Sequence, residues 1–451
     1  MVEVPVKMYV TNLLKKARET ARPMGLLPTE IKNQALLAMA DRFTVEEDSL
    51  LEVNLRDVET VGKNLDREAA RAAVERVRLT PEGIKTIVDG LRRIADLSDP
   101  VGQVTAMRPR PNGMQVSRVR APIGVIGIIS EFGPQVMVDS VALCLKSGNA
   151  CVFRGPTDWI HTNSKVAAIV REEAEKAGVP PDAMTFLERT EKEAALELIR
   201  QTGYLDAIIA RGGAGLRRAV TEQSRVPILC HDGGISSVYI DADTDLALSQ
   251  NVVVNSKVQH ASETNSTDTL LVHQATGRTL LPALIRRLLD EFKVEVRGCP
   301  KTVALTGSQD FGAYKSVKPA KDEDWGQQFL SPILAVKIVK DLDEALDHIA
   351  RYGPAHTVSI VTRDLATAMR FTREVDASAV LVNASTRLHD GEEFGLGGGI
   401  GISTMRTHAR GPISLEELTC QKYVVLGTGQ LRQPHPVPVT YEDAIMLKRP
   451  S

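Results

Sequence analysis

Residues 125–153, VIGIISEFGPQVMVDSVALCLKSGNACVF, decide the fold. The apolar run VIGII (125–129) is too short for a helix and has no polar face. A helix-patterned stretch near 135–147 follows, and a second apolar run, ACVF (150–153), comes after it. Short continuous apolar runs separated by helices are the pattern of a parallel sheet buried on both faces. Working outward, the alternation continues through a helix near 161–177, LDAIIA (205–210), a helix near 214–223 and VPIL (226–229). A second series begins with VYI (238–240), a helix over 243–255, TLLV (269–272) and a helix over 277–292. It ends with AVKIV (335–339), a helix over 342–350, VSIV (358–361), a helix over 364–375 and AVLV (379–382). The expected architecture is α/β, with two α/β domains that each own a sheet.

The first hundred residues are helical in pattern. Ile31, Ala35, Leu36, Leu37, Met39 and Ala40 make one face, and Thr80-Pro81-Glu82 reads as an N-cap with proline at the first helical position. The chain changes character near Asp99-Pro100 and becomes β-rich from Met114 to Arg120. The tail, with KYVVL and VPVTY, reads as an arm able to add strands to a partner subunit.

A length of 451 residues predicts two or three structural units. Net charge is −2, with 43% apolar and 25% charged residues and no long run of one sign, which points away from nucleic-acid and membrane-surface partners. Arg108, Arg110, Arg118 and Arg120 read most simply as solvated strand positions. The five cysteines form no CxxC pair and are odd in number, and no targeting or membrane-spanning stretch is evident. The expectation is a cytoplasmic protein with reduced thiols.

RGGAGL (211–216) follows an apolar strand and opens a helix, so Gly212 and Gly213 could present backbone N–H groups to a phosphate or form only a tight turn. Arg154 stands at the carboxyl end of a strand, where α/β sheets bind ligands; its guanidinium suits the 2′-phosphate of NADP or a structural ion pair. GLGGGIG (395–401) has no strand–turn–helix setting and reads as a loop. No His/Cys/Asp/Glu spacing supports a metal site.

DPVGQV (99–104), PIGVIGII (122–129), ALCLKSGNA (142–150), RGGAGL (211–216), VNASTR (382–387) and HARGP (408–412) together resemble the gamma-glutamyl phosphate reductases (glutamate-5-semialdehyde dehydrogenases) of the aldehyde dehydrogenase superfamily. The resemblance spans roughly residues 30–428. It implies an NADP-binding α/β domain over 1–240 with an arm strand about 105–120, a catalytic α/β domain over 241–411, and a C-terminal segment and oligomerisation arm over 412–451. It also implies a homo-oligomer and an NADPH-dependent reduction of L-glutamyl 5-phosphate, in which a cysteine thiolate displaces phosphate and the thioester accepts a hydride.

Carried over residue by residue, the resemblance puts the nucleophile in a Cys-Asn pair nine residues before the histidine that ends LLVH, His273. Here that pair is Thr264-Asn265. Glu263 precedes it where the family is small or polar. The family's oxyanion-stabilising Asn is Gln135, its Glu on the nicotinamide ribose is Gln328, and its Gly-Ala-Glu is Gly397-Gly398-Gly399. Lys146, Arg154, Gly212, Gly213 and Gln328 are the expected cofactor contacts. Asn383, Ser385, Thr386, Arg387 and Arg410 are the expected contacts to a glutamyl phosphate-like substrate.

A threonine hydroxyl is not appreciably ionised at neutral pH, whereas a few per cent of a free thiol is. His231, oriented by Asp232, is one candidate base for Thr264; Glu263 is another, and Cys230 is a candidate displaced nucleophile. Three readings stay open. The chain is a repurposed enzyme of acyl-phosphate or carbonyl chemistry, a non-catalytic partner of a glutamate 5-kinase or active paralogue, or a reductase with residual activity.

Overall fold

Thr80 caps its helix as its spelling predicts: its side chain accepts from the Gly83 N–H, and Pro81 opens the helix Pro81–Asp96. The computed structural model describes residues 4–63, 67–230, 233–306, 317–353 and 355–432. Leu36, Met39 and Phe43 of the helix Thr29–Val45 share one core with Ile84, Ile87 and Leu91 of Pro81–Asp96. That helical layer covers the first sheet, whose Val125, Ile126, Ile128, Val152 and Phe153 belong to the same core.

β1 (Val104–Pro109) and β2 (Gln115–Pro122) form an antiparallel hairpin. β3 (Val125–Ser130), β4 (Ala150–Arg154), β5 (Met184–Phe186), β6 (Ala207–Arg211) and β7 (Ile228–Cys230) make a parallel sheet in the order β5-β4-β3-β6-β7. β8 (Ile235–Ile240), β9 (Thr269–His273), β10 (Glu295–Gly298), β11 (Lys318–Pro319), β12 (Ile333–Val339), β13 (Ala355–Val361) and β14 (Ala377–Val382) make a second parallel sheet. Its order is β11-β10-β12-β9-β8-β13-β14. β15 (Ile402–Ser403) and β16 (Gly411–Pro412) pair briefly, and β17 (Thr419–Leu426) runs back to the hairpin.

β8 hydrogen-bonds between β9 and β13, so the chain changes sheets between Cys230 and Ile235: VYI (238–240) opens the second series as its patterning indicates, ahead of the boundary at 240 that the resemblance implies. KYVVL does form an arm strand, but β17 pairs with this chain's own β2, from Thr419 opposite Pro122 to Leu426 opposite Gln115. VPVTY lies outside the described residues. Among the described residues no helix is long and apolar enough to cross a membrane.

In the first sheet the strand order reverses between β3 and β6. The chain leaves β3 at Glu131 and β6 at Gly212, and a crevice at such a switch point is where open α/β sheets place ligands.

Candidate active site

The turn before β9 is built from its backbone outward. The helix Leu246–Val258, capped by Asp245 through the Leu248 N–H at 2.8 Å, ends just short of it. The Glu263 N–H then donates to the His260 carbonyl at 3.2 Å, Ser266 N–H to the Glu263 carbonyl at 3.0 Å, and Thr267 N–H to the Ser256 carbonyl at 3.0 Å. Thr264 sits within this turn. Its carbonyl accepts from Ser236 Oγ at 2.9 Å, and its half-buried hydroxyl has no hydrogen-bond partner among the described residues.

The side chains after Thr264 turn inward. Asn265 Nδ2 donates to the His389 carbonyl at 3.0 Å, and Thr267 Oγ1 lies 3.1 Å from Thr386 Oγ1. Asp268 accepts from the Phe329 N–H at 2.9 Å and the Ser236 N–H at 3.2 Å, which ties the amino end of β8 and the loop before β12 to the catalytic turn. Burial pushes the Asp268 carboxyl up to about 7. Lys257, wholly buried beside this segment, is pulled down to about 8 by the same desolvation, with Asp268 opposing it. Its Nζ has no hydrogen-bond partner among the described residues.

The segment 383–389 returns under β13. Asn383 adopts the left-handed conformation (φ 56°), and its amide brackets Thr362, accepting from its N–H at 2.9 Å and donating to its carbonyl at 3.0 Å. Asparagine tolerates that conformation better than other side chains do. Ser359 Oγ then holds the Ala384 carbonyl at 2.6 Å, and Thr357 Oγ1 meets His389 Nδ1 at 2.8 Å. From Thr362 to Thr357 is roughly 16 Å of strand, so Asn383 lies at the opposite end of the sheet from Thr264. Ser385 and Thr386 both bond to Ser256 Oγ, each at 3.1 Å, and pack behind the turn. Arg410 pairs with Asp376 at 2.6 Å and, with Arg406, holds that carboxyl below the usual range. Arg387 turns the other way: its Nε donates to Gln259 Oε1 at 2.8 Å, and the rest of its guanidinium stays half-buried near Glu263. Of the five expected substrate contacts, Arg387 is therefore the one that shares a face with Glu263.

The first domain supplies the opposing wall. Gln135 is exposed on the first turn of the helix Pro134–Lys146. Glu131 Oε2 accepts from the Gly213 N–H at 2.7 Å, at the amino end of the helix Ala214–Gln223. A Cβ on Gly212 would fall 2.4 Å from that carboxylate oxygen. Arg154 donates from Nη2 to the Thr190 carbonyl at 2.9 Å, and burial lowers its pKa. Lys146 does not join this wall. It is completely buried, its Nζ donating to the Ala95 carbonyl at 2.7 Å and to Asn33 Oδ1, which fastens the helical layer to the sheet. Gln328 Nε2 donates to the Gly234 carbonyl at 3.0 Å, a bond that braces the loop before β8. His231, Asp232 and the Cys230 side chain lie outside the described residues.

Two groups that sequence reasoning passed over stand in the cleft. Arg211, read only as the residue before two glycines, stacks on Phe132 with its guanidinium 5.2 Å from the ring centre. Asp139 is pushed up to about 7 by burial, against Arg93 and Arg211. A lone carboxylate in VMVDSVALC was a legible signal for it. His389, also missed, is wholly buried and pulled down to about 4, so it is neutral at physiological pH. Among the described residues no cluster of three or more His, Cys, Asp or Glu could hold a metal ion.

The fit to NADP is uneven. Arg154 keeps donors free for a phosphate monoester at the carboxyl end of β4. The helix amino end at Gly213 is already met by the Glu131 carboxylate, which would repel a pyrophosphate there. In this structure the Gly213 N–H, expected to face a phosphate, is taken by Glu131.

With two parallel sheets, a reversal crevice and a catalytic turn before β9, the architecture is that of an aldehyde dehydrogenase. The family model described as "Aldehyde dehydrogenase family" matches residues 6–312 and 317–424. A gamma-glutamyl phosphate reductase of Thermodesulfovibrio yellowstonii is 44% identical over 428 residues, 95% of this chain and 100% of its own. One from Caldanaerobacter subterraneus is 42% identical over 427 residues, 94% of this chain and all of its own. The crystal structure of gamma-glutamyl phosphate reductase from Thermotoga maritima is 37% identical, with a TM-score of 0.88 over 94% of this chain and 100% of that one. The chain belongs to the gamma-glutamyl phosphate reductase family. Its fold accordingly comprises an NAD(P)-binding-like domain, a catalytic domain and an oligomerisation arm.

Proposed function

We propose that this protein takes a glutamyl phosphate-like acyl phosphate and releases phosphate from it without forming a thioester. The supporting observation is the pair beside Thr264. Glu263 is half exposed, with His260 Nδ1 3.4 Å from its Oε1. In this reading Glu263 takes a proton from water as the water oxygen attacks the acyl carbon. The acyl C–O bond to phosphorus breaks, the carboxylate and inorganic phosphate leave, and the proton passes through His260 to solvent. Thr264, with no partner for its hydroxyl, lines the acyl pocket and forms no bond to it.

The test supplies glutamate, ATP and glutamate 5-kinase to the purified protein, and follows phosphate release and NADPH oxidation separately. Phosphate release above the uncatalysed rate without NADPH loss is expected, falling about a hundredfold or more in Glu263→Gln. NADPH oxidation by the wild type would overturn the reading and return the chain to reductive chemistry. Thr264→Cys is expected to restore little reduction, because Gln135 and Gln328 also depart from the family pattern.

A second reading, a non-catalytic member that binds a glutamate 5-kinase or an active paralogue, draws on the same unpartnered Thr264 hydroxyl and on the exposed Gln135. Silence in both channels would select it.

A further inference from the structure

A small enclosed cavity lies between the helix Leu342–Arg351 and the amino ends of β8, β9 and β13. It leaves about 10 Å³ for the centre of a water-sized molecule, and Ser237, Thr269, Trp325, His348 and Ile349 are among the residues that line it. Two of these side chains carry buried polar atoms without a partner. His348 is 5% exposed and Thr269 fully buried, and neither His348 Nε2 nor Thr269 Oγ1 has a hydrogen-bond partner among the described residues. Ser237 on β8 is the registered neighbour of Thr269 on β9, so their side chains leave the sheet on the same face.

The proton on the His348 ring can be placed. Lys337 Nζ lies 3.3 Å from His348 Nδ1 and 3.3 Å from Glu344 Oε1. An ammonium group only donates, so Nδ1 accepts. Burial, followed by the Lys337 charge, pulls the ring down to about 4, so at neutral pH it is uncharged and its proton sits on Nε2. Trp325, edge-on with ring centres 5.3 Å apart, and Tyr352, at 4.7 Å, hold the ring in that orientation. A buried N–H without an acceptor is unfavourable, and native interiors satisfy nearly all such groups. A donor turned towards the cavity excludes a cation, and the apolar walls of Ile235, Trp325 and Ile349 exclude an uncompensated anion. The space admits a single water and nothing larger.

We propose that this cavity is a buried hydration site, in which one water accepts from His348 Nε2–H and donates to Thr269 Oγ1, with Ser237 Oγ as its third partner. Buried waters commonly make about three such bonds. The site bears on the catalytic turn. Thr269 follows Asp268, whose carboxylate accepts from the Ser236 and Phe329 N–H groups, and Trp325 stands in the same loop before β12 that carries Gln328. The water therefore fastens the last turn of the helix Leu342–Arg351 to the first residue of β9, next to the segment that carries Thr264.

The first test is a crystal structure of the full chain at a resolution that shows ordered waters. One water within about 3.2 Å of both His348 Nε2 and Thr269 Oγ1 is expected; a cavity without density would overturn the proposal. The second is nitrogen NMR of the histidine-labelled protein, with the His348 signal identified by its absence in His348→Gln. The proton is expected on Nε2 at neutral pH, and a proton on Nδ1 would overturn the proposal, because nothing would then donate to the water. The third is Thr269→Val, which removes one partner while keeping the shape of the side chain. Loss of the water and a melting temperature lower by about 2 °C are expected. A water that keeps its place, or an unchanged melting temperature, would overturn Thr269 as its anchor. Thr269→Ser retains the hydroxyl and should retain the water, and its loss there would count equally against the proposal. The first two measurements read the wild-type site, so they decide even if Thr269→Val fails to fold.

Discussion

The two faces of the catalytic turn contrast sharply. On the inner face every residue from Asn265 to Asp268 is buried, and its side chain is tied to a neighbouring segment: Asn265 to the 387–389 turn, Ser266 to the Lys257 carbonyl, Thr267 to Thr386, and Asp268 to the starts of two strand connections. On the outer face the Thr264 hydroxyl lacks a partner among the described residues, and Glu263, His260 and Gln135 are exposed. The framework is over-determined while the reacting surface is not. A substitution at Thr264 can therefore remove the family's chemistry without loosening the turn that presented it.

The largest effect that would break this contrast is on stability. Asn265→Ala leaves the His389 carbonyl unpaired in the interior and should destabilise the fold by about 2 kcal/mol. Thr264→Ala, one residue earlier, should change it by less than about 0.5 kcal/mol. Urea unfolding of the two variants decides, and equal losses would erase the distinction between the faces.

A smaller effect is expected at Gly401. An added methyl group there strains a backbone at φ 156° and meets the Arg211 guanidinium. Gly401→Ala should lose about 1 kcal/mol, read by urea unfolding. An unchanged midpoint would show that Arg211 moves aside for the methyl group at no cost.

The smallest effect is in the pH dependence of stability, where the two sides should slope in opposite directions. His389, on the inner face, is pulled down to about 4 by burial, with Asp390 opposing. Its contribution is complete above the unfolded value near 6.5 and is lost as pH falls towards 4. Asp139, on the cleft side, is pushed up to about 7 by burial. Its contribution is complete below its unfolded value near 4 and is lost as pH rises through 7. His389→Gln should flatten the rise between about pH 4 and 6.5 in a melting-temperature profile, and Asp139→Asn the opposing fall between about pH 4 and 7. Interchanged behaviour would show that the wrong groups have been assigned to the two limbs.

Much of the scaffold could be read in advance, for reasons visible in particular residues. VIGII, ACVF and AVLV fall on β3, β4 and β14 because a strand buried on both faces must be continuously apolar. Thr80-Pro81 begins its helix because the capping bond is local. VYI likewise falls on β8 and opens the second sheet, between β9 and β13. Among the candidate site residues, Lys146 and Asn383 were harder to read. Each stands in a motif shared with the family, yet its hydrogen bonds go to Ala95 and Asn33 in one case and to Thr362 in the other.

By itself, then, the sequence determined the two-sheet α/β fold and the family, because these rest on local patterning and on order along the chain. Only the tertiary structure decided that Ser385 and Thr386 meet Ser256 and that Glu131 meets the Gly213 helix end. Those groups come from different strands and turns, and their bonding depends on distances that exist only once the chain has folded.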